Sequence, residues 1–109
     1  MFKTAQKDLS LSLLFDLYSP LLSEKKREIF DLYYNDDLSL SEVAEHTGTS
    51  RQAVRDLIAR TGDELKGYED ALGLRGKQIA LGEKVGRLKK ILRDTEDTDD
   101  ILREIEDIL

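Results

Sequence analysis

The feature that most constrains this chain is a pair of short amphipathic helical segments joined by a glycine-centred turn. Ser39 is followed three residues later by Glu42, a capping box in which each side chain satisfies a free backbone N–H at a helix start. Gly48, between two threonines, supplies the left-handed conformation that ends such a helix. Ser50 then provides the cap of a following helix. The sequence therefore predicts two helices that meet at a sharp turn.

The small and apolar residues around this turn have the spacing of a helix-turn-helix. Ala44 is small where the two helices must approach each other closely, and Gly48 follows it by four residues. Val54 lies six residues beyond Gly48 and Leu57 nine beyond, positions that hold the second helix onto the first. The predicted fold class is accordingly all-α, with a tri-helical helix-turn-helix unit, a long recognition helix and a C-terminal helical extension.

The rest of the chain shows helical periodicity throughout. Predicted helices run from about 8 to 19, closed by Pro20, and from 24 to 34, 50 to 72, 75 to 93 and 98 to 109, the last capped by Thr98. The long helix carries an apolar heptad seam made of Val54, Ile58, Thr61, Leu65, Tyr68 and Leu72. A small domain is not expected to cover this seam along its whole length, which predicts a homodimer. Gly62 and Gly67 indicate a bend or break within it.

Composition excludes several classes of protein. The chain has no cysteine, and its single histidine, His46, has no other ligands in sequence to form a metal site. No phosphate-binding loop or paired catalytic carboxylates are recognisable, so we expect neither an enzyme nor a cofactor. No signal peptide and no apolar run of about 20 residues is present, which predicts a cytoplasmic protein without membrane insertion. We expect a helix-turn-helix domain over 1–72 and a C-terminal extension over 73–109 for dimerisation or partner contact.

The candidate nucleic-acid-binding residues follow from the side of the second helix that faces away from Val54 and Leu57. They are Ser50, Arg51, Gln52, Arg55 and Arg60. Arginine can pair with guanine and glutamine with adenine, while serine at a helix N-terminus can hold a phosphate. The alternative is that the tri-helical unit is a packing scaffold used for protein contacts.

Charge is distributed unevenly in the last third of a chain whose net charge is −6. Residues 75–93 hold seven basic side chains and one acidic, and residues 94–109 hold eight acidic and one basic. The two segments could neutralise each other, or the first could contact RNA phosphates or an acidic protein. The possible secondary basic surface consists of Lys77, Lys84, Arg87, Lys89, Lys90 and Arg93.

The run from Leu14 to Leu74, with its stretches LYYNDDLSL, SRQAV and RTGDELKGYEDALGL, resembles the YlxM family. These are small helix-turn-helix proteins of Gram-positive bacteria, usually encoded beside the signal recognition particle GTPases. The same unit is similar to the fourth region of bacterial sigma factors. The resemblance implies association with the signal recognition particle pathway, binding to its RNA or its GTPases, and a dimer. The chain departs from the family pattern at Arg55, where an aromatic residue is typical.

Three functions remain open from the sequence. The first is a regulatory helix-turn-helix protein that binds the RNA of the signal recognition particle. The second is a sequence-specific DNA-binding regulator that places Arg51, Gln52 and Arg55 in a major groove. The third is a non-catalytic helical adaptor that binds proteins through the seam of the long helix.

Overall fold

The protein is helical, as predicted. The structure, a computed structural model, describes residues 7–92 and 96–109. These residues contain no strand and form six α-helices with one 3-10 turn, Ser19–Leu21, after the first. The helices are α1 (Leu9–Tyr18), α2 (Glu24–Tyr34), α3 (Leu40–Thr47), α4 (Arg51–Leu72), α5 (Leu74–Ile91) and α6 (Glu96–Ile108).

The chain divides into two compact units, Met1–Leu72 and Gly73–Leu109. The second unit begins at Gly73, whose φ of 63° is left-handed and whose carbonyl accepts the backbone N–H of Lys77 at 3.0 Å. None of the described helices combines the length and the apolar character that a bilayer span requires. That the second unit serves dimerisation or partner contact stays a prediction.

Local capping signals determine most helix starts. The Asp8 carboxylate accepts the backbone N–H of Ser10 at the start of α1, and the Ser23 hydroxyl accepts that of Lys26 at the start of α2. The predicted capping box of Ser39 and Glu42 is present at α3. The predicted start of α6 is wrong, because the helix begins at Glu96, two residues before the expected Thr98 cap.

The first unit has two adjoining groups of buried side chains. The α1 core comprises Leu11, Leu14, Phe15, Tyr18, Leu22, Phe30 and Leu65. The turn core, which lies under the helix-turn-helix, comprises Ile29, Val43, Ala44 and Val54. The Phe30 ring packs against two other aromatic rings. Its centroid lies 4.9 Å from that of Phe15 and 4.3 Å from that of Tyr34, on which it stacks. Ile58 of α4 packs against both cores and so connects them.

The seam on α4 was not expected to be covered along its whole length, and the structure leaves only its last position uncovered. Val54, Thr61 and Leu65 are completely buried, because α1, α2 and α3 all pack on this helix. Only Leu72, at the end of the seam, remains exposed among the large hydrophobic residues there. The helix α1 precedes the tri-helical unit in sequence and fills the part of the seam that the three helices alone would leave open. The seam therefore gives no support to a homodimer.

Of the predicted bend or break in α4, the break is wrong, since the helix is continuous from Arg51 to Leu72; the bend stays a prediction. Gly62 is buried where α1 crosses, and a Cβ atom built there would lie 3.2 Å from Cδ1 of Leu11. Its small size permits close helix packing, and the burial of neighbouring side chains outweighs its cost of about 1 kcal/mol in helix propensity.

A polar cluster joins α2 to α4 beside the α1 core. Lys26 Nζ lies 2.7 Å from Oε1 of Glu64, and the Tyr68 hydroxyl donates to Oε2 of the same carboxylate at 2.6 Å. The hydrogen bond from Lys26, followed by that from Tyr68, holds the pKa of Glu64 below its ordinary value. Both members of the Lys26–Glu64 pair are partly exposed, so solvent weakens their interaction.

This lowered pKa predicts a small acid-dependent loss of stability. A carboxylate with a depressed folded-state pKa stabilises the fold above its unfolded pKa, and the contribution is lost as pH falls through the folded pKa. We expect Glu64→Gln to lower the free energy of unfolding by less than about 1 kcal/mol at neutral pH. The difference from wild type should disappear at acidic pH in urea unfolding. Asp63→Asn, on the exposed side of α4, is the matched control, and an equal pH-dependent difference there would contradict this role of Glu64.

The same substitution at two glycines should have opposite effects on stability. Gly48 has a φ of 71°, whereas Gly67 lies within α4, and a Cβ atom at either position would meet no atom within 4 Å. Gly48→Ala should therefore lower the free energy of unfolding by about 1 kcal/mol through backbone strain alone. Gly67→Ala should raise it by up to about 1 kcal/mol through helix propensity. Urea unfolding measures both, and two changes of the same sign would contradict the assigned conformations.

Candidate nucleic-acid interface

The turn before α4 fixes the position of the candidate binding residues. Gly48 adopts the left-handed conformation, and the backbone N–H of Thr49 donates to the carbonyl of Ala44 at 3.0 Å. The Ser50 hydroxyl accepts the backbone N–H of Ala53 at 3.0 Å. This oxygen already caps the helix, so Ser50 contributes mainly to the orientation of α4.

The structure brings two of the three predicted arginines together. Arg51 and Arg55 are exposed and lie one helical turn apart, about 40° from each other around the axis of α4. Arg60 is also exposed but lies about half a turn around the axis from Arg51. A ligand that contacts Arg51 and Arg55 directly would therefore have to wrap around the helix to contact Arg60.

Gln52 shares its exposed side of α4 with an acidic residue. Its side-chain Nε2 donates to Oδ1 of Asp56 at 3.0 Å, one turn further along the helix. This bond orients the glutamine amide and leaves its oxygen available. Because Asp56 carries a negative charge, it makes this side of α4 less favourable for phosphate than the side that carries Arg51 and Arg55.

Arg51 and Arg55 border a shallow groove that the sequence analysis did not predict. This arginine groove is lined by Tyr33 of α2, Leu40 of α3 and four residues of α4, namely Arg51, Arg55, Ile58 and Ala59. Tyr33 is half-buried at this position. The groove forms because the ends of α2 and α3 meet beside α4, a tertiary arrangement that no local pattern encodes.

Lys7 holds Tyr33 from the other side. Its side chain is 2% exposed, and its Nζ lies 4.2 Å from the centroid of the Tyr33 ring. The same ammonium donates to the carbonyl of Tyr33 and pairs with Oδ1 of Asp37 at 3.0 Å. Asp37 has a φ of 56°, the one positive value at a non-glycine residue in the described chain. Lys7 thus stabilises both the C-terminal end of α2 and the turn that leads to α3.

The arginines of the groove have no ion-pair partner within the described part of the chain. Elsewhere the protein does pair its cations, as at Lys26–Glu64 and Lys89–Glu106. Arg51 and Arg55 therefore remain available for an external anion. Across the described residues no group of three or more histidine, cysteine or acidic side chains is arranged to hold a metal ion.

The possible secondary basic surface on α5 is only partly assembled. Lys77, Lys84, Arg87 and Lys90 are exposed and fall within an arc of about 140° on α5. Lys89 points elsewhere and pairs with both carboxylate oxygens of Glu106, at 2.7 and 2.8 Å. Arg93 lies outside the described residues. The basic and acidic segments thus meet at the Lys89–Glu106 ion pair, while Lys77, Lys84, Arg87 and Lys90 are exposed.

Comparison with known proteins agrees with this fold. The model of the UPF0122 family, described as helix-turn-helix proteins, YlxM / p13 like, matches residues 5–108. This chain belongs to the UPF0122 family. Membership confirms the resemblance to the YlxM proteins and the helix-turn-helix fold.

Curated UPF0122 relatives match the chain over different lengths. Relatives in Thermoanaerobacter sp. (strain X514) and Bacillus mycoides are 40% identical over 103 residues and 41% identical over 100 residues. These matches cover 92% of this chain and 88% and 91% of the relatives. A Clostridium kluyveri relative is 56% identical over 69 residues, 63% of this chain. That match spans 62% of the clostridial protein's length.

The contacts of Lys7 predict a stability effect next to the groove. Lys7→Met keeps an unbranched buried side chain, one atom shorter, but removes the ammonium, so the cation–π contact and two polar contacts are lost. We expect the free energy of unfolding to fall by about 1 to 2 kcal/mol in urea unfolding. Lys25→Met, at an exposed position of α2, is the control. Equal stability of Lys7→Met and wild type would show that this contact does not hold Tyr33.

Proposed function

We propose that this UPF0122 protein is a regulatory nucleic-acid-binding protein of the signal recognition particle pathway, and that it binds the particle's RNA through the arginine groove. The observation that carries the proposal is the position of Arg51 and Arg55. Both are exposed at the start of the second helix of a helix-turn-helix, the part that contacts nucleic acid in proteins of this architecture.

Local charge supports an anionic ligand. The protein as a whole carries a net charge of −6, which disfavours indiscriminate binding to nucleic acids. The first three turns of α4 nevertheless carry three arginines against Asp56, and no partner in the described chain neutralises Arg51 or Arg55. An RNA that fits this restricted surface is favoured over one that offers only a high density of phosphate.

The shape of the groove supports RNA with unpaired bases. Sequence-specific recognition of RNA commonly uses aromatic side chains and arginine planes that contact unstacked bases. Tyr33 and the two arginines supply those groups around an apolar floor of Ile58 and Ala59. The choice of the signal recognition particle RNA rests on the family resemblance, which also implies the particle's GTPases as partners. Such ligands agree with the predicted cytoplasmic location.

Sequence-specific binding to DNA is the second candidate. Arg51, Gln52 and Arg55 are all exposed near the N-terminal end of α4, which is the end that enters a major groove in helix-turn-helix proteins. The adaptor interpretation has lost its main support, because α1 and α2 fill the seam of α4 that was expected to receive a partner protein.

The proposal predicts a selective loss of RNA binding. Fluorescence anisotropy with signal recognition particle RNA, a scrambled RNA and random duplex DNA should show tightest binding to the native RNA near physiological salt. Arg51→Ala/Arg55→Ala should weaken that binding by at least about tenfold, since two charged contacts are removed. Arg60→Ala should cause a smaller loss and a shallower salt dependence if its side chain contacts only phosphate.

Arg103→Ala is the control for a general loss of positive charge, because Arg103 is exposed on α6. Equal effects of this variant and the double variant would contradict the assigned surface. Tight binding to one DNA sequence with weak binding to the RNA would favour the second candidate. Weak binding to all three nucleic acids that vanishes as salt rises would reject nucleic acid as the ligand.

A further inference from the structure

The helix α5 carries apolar side chains that its packing on α6 does not cover. Val85 is buried, as expected for a position that packs on the neighbouring helix. Leu81 and Leu88 are 46% and 45% exposed, and Ile91 is 73% exposed. Because these three residues recur at spacings of seven and three, they share one face of the helix. Several large apolar side chains exposed on one face are typical of an interaction surface.

Basic side chains lie among these apolar residues. Lys77, Lys84 and Arg87 are exposed, and no ion pair among the described residues neutralises them. By contrast, Lys89 lies on another side of α5 and pairs with Glu106. Helical geometry places the three cations and the three apolar residues within an arc of about 120° around the axis of α5. This basic–apolar face consists of Lys77, Leu81, Lys84, Arg87, Leu88 and Ile91.

Most acidic side chains of α6 point away from α5. Asp100, Glu104 and Asp107 are exposed, and they lie about 140° to 160° around the axis of α6 from the buried Leu102. Because α6 packs on α5, its buried side is the side that faces α5. The second unit therefore has a basic side on α5 and an acidic side on α6, and an anionic surface would attract the first and repel the second.

The mixture of cations and aliphatic side chains indicates which anionic surface fits. Nucleic-acid phosphates would pair with the cations but would leave Leu88 and Ile91 without an apolar partner. Unpaired bases are usually held by aromatic side chains, and the sequence has none after Tyr68. A bilayer with anionic lipids satisfies both groups, since its headgroups attract lysine and arginine while the outer acyl region receives aliphatic side chains. The stems of lysine and arginine can extend along such an apolar region with their charges at the headgroups.

We propose that the basic–apolar face of α5 binds the surface of an anionic lipid bilayer, with the helix lying in the plane of the headgroups. None of the described helices is able to cross a bilayer. This mode of binding requires no crossing, because a helix at the interface buries only one of its faces in the lipid. The contact uses the second unit and is separate from the arginine groove, so it does not depend on the proposed binding of RNA.

Co-sedimentation of the full chain with lipid vesicles tests the proposal. We expect binding to vesicles of phosphatidylcholine and phosphatidylglycerol that strengthens with the anionic fraction, and little binding to phosphatidylcholine alone. Ile91→Asp should weaken binding to the mixed vesicles by at least about tenfold, because it places a charge in the apolar contact. The matched control is Ile79→Asp, since Ile79 is 49% exposed on another side of α5. No binding of the wild type to the mixed vesicles, or equal losses in both variants, would overturn the proposal.

Reversal of charge separates lipid from RNA as the ligand of this face. Lys77→Glu/Lys84→Glu should reduce vesicle binding by at least about tenfold. The control Lys25→Glu/Arg103→Glu changes the net charge equally at exposed positions of α2 and α6 and should retain most of the binding. Circular dichroism checks that each variant keeps its helices. If Lys77→Glu/Lys84→Glu bound vesicles like the control but bound signal recognition particle RNA much more weakly than the control, the face would belong to RNA and the proposal would be overturned.

Discussion

The first unit depends on the burial of one side of α4. This helix contributes to both buried cores, and Ile58 is the residue at which the α1 core and the turn core meet. Most helical stability in proteins comes from packing of an amphipathic face and not from intrinsic propensity, so α4 depends on the helices that pack on it. The helices α1, α2 and α3 all pack on α4, and its first turn, directly after Gly48 and Ser50, exposes Arg51 and Arg55.

This shared burial explains why a binding edge can coexist with a core on the same helix. Arg51 and Arg55 lie beside the buried Val54 and the partly buried Ile58 on α4, so their backbone cannot move without disturbing the turn core. Tyr33 adds a third fixed element, because Lys7 contacts both its ring and its carbonyl. A binding surface built on packed helices loses less conformational freedom on binding than one built on a loop.

Local signals predicted the features that depend on neighbours in sequence. The capping box at Ser39, the left-handed Gly48 and the cap at Ser50 each follow from contacts within a few residues, and all three are present. A local signal failed at α6, which begins at Glu96 and not after a cap at Thr98. Two other errors concern contacts between distant segments. The seam looked open because nothing in the sequence shows that α1 returns to cover it, and Gly62 looked like a helix breaker because its contact with Leu11 is tertiary.

The sequence predicted which side chains of the candidate site face outward, but it did not predict the groove beside them. That Arg51, Gln52, Arg55 and Arg60 face outward follows from helical periodicity and the inward direction of Val54. The separation of Arg60 from Arg51 also follows from periodicity, although the sequence analysis grouped them. The arginine groove was not predictable, because Tyr33 reaches it only through the meeting of α2, α3 and α4. Lys7 carries no sequence signal, since a single lysine before a helix is an ordinary surface residue.

The number of charged contacts limits what the arginine groove can do. A groove with two arginines in an acidic protein offers few contacts to nucleic acid, so it gains little from phosphate density alone. Discrimination between ligands would then depend on the aromatic and apolar surface that Tyr33, Ile58 and Ala59 present beside the arginines. A random sequence of the same charge does not reproduce those contacts.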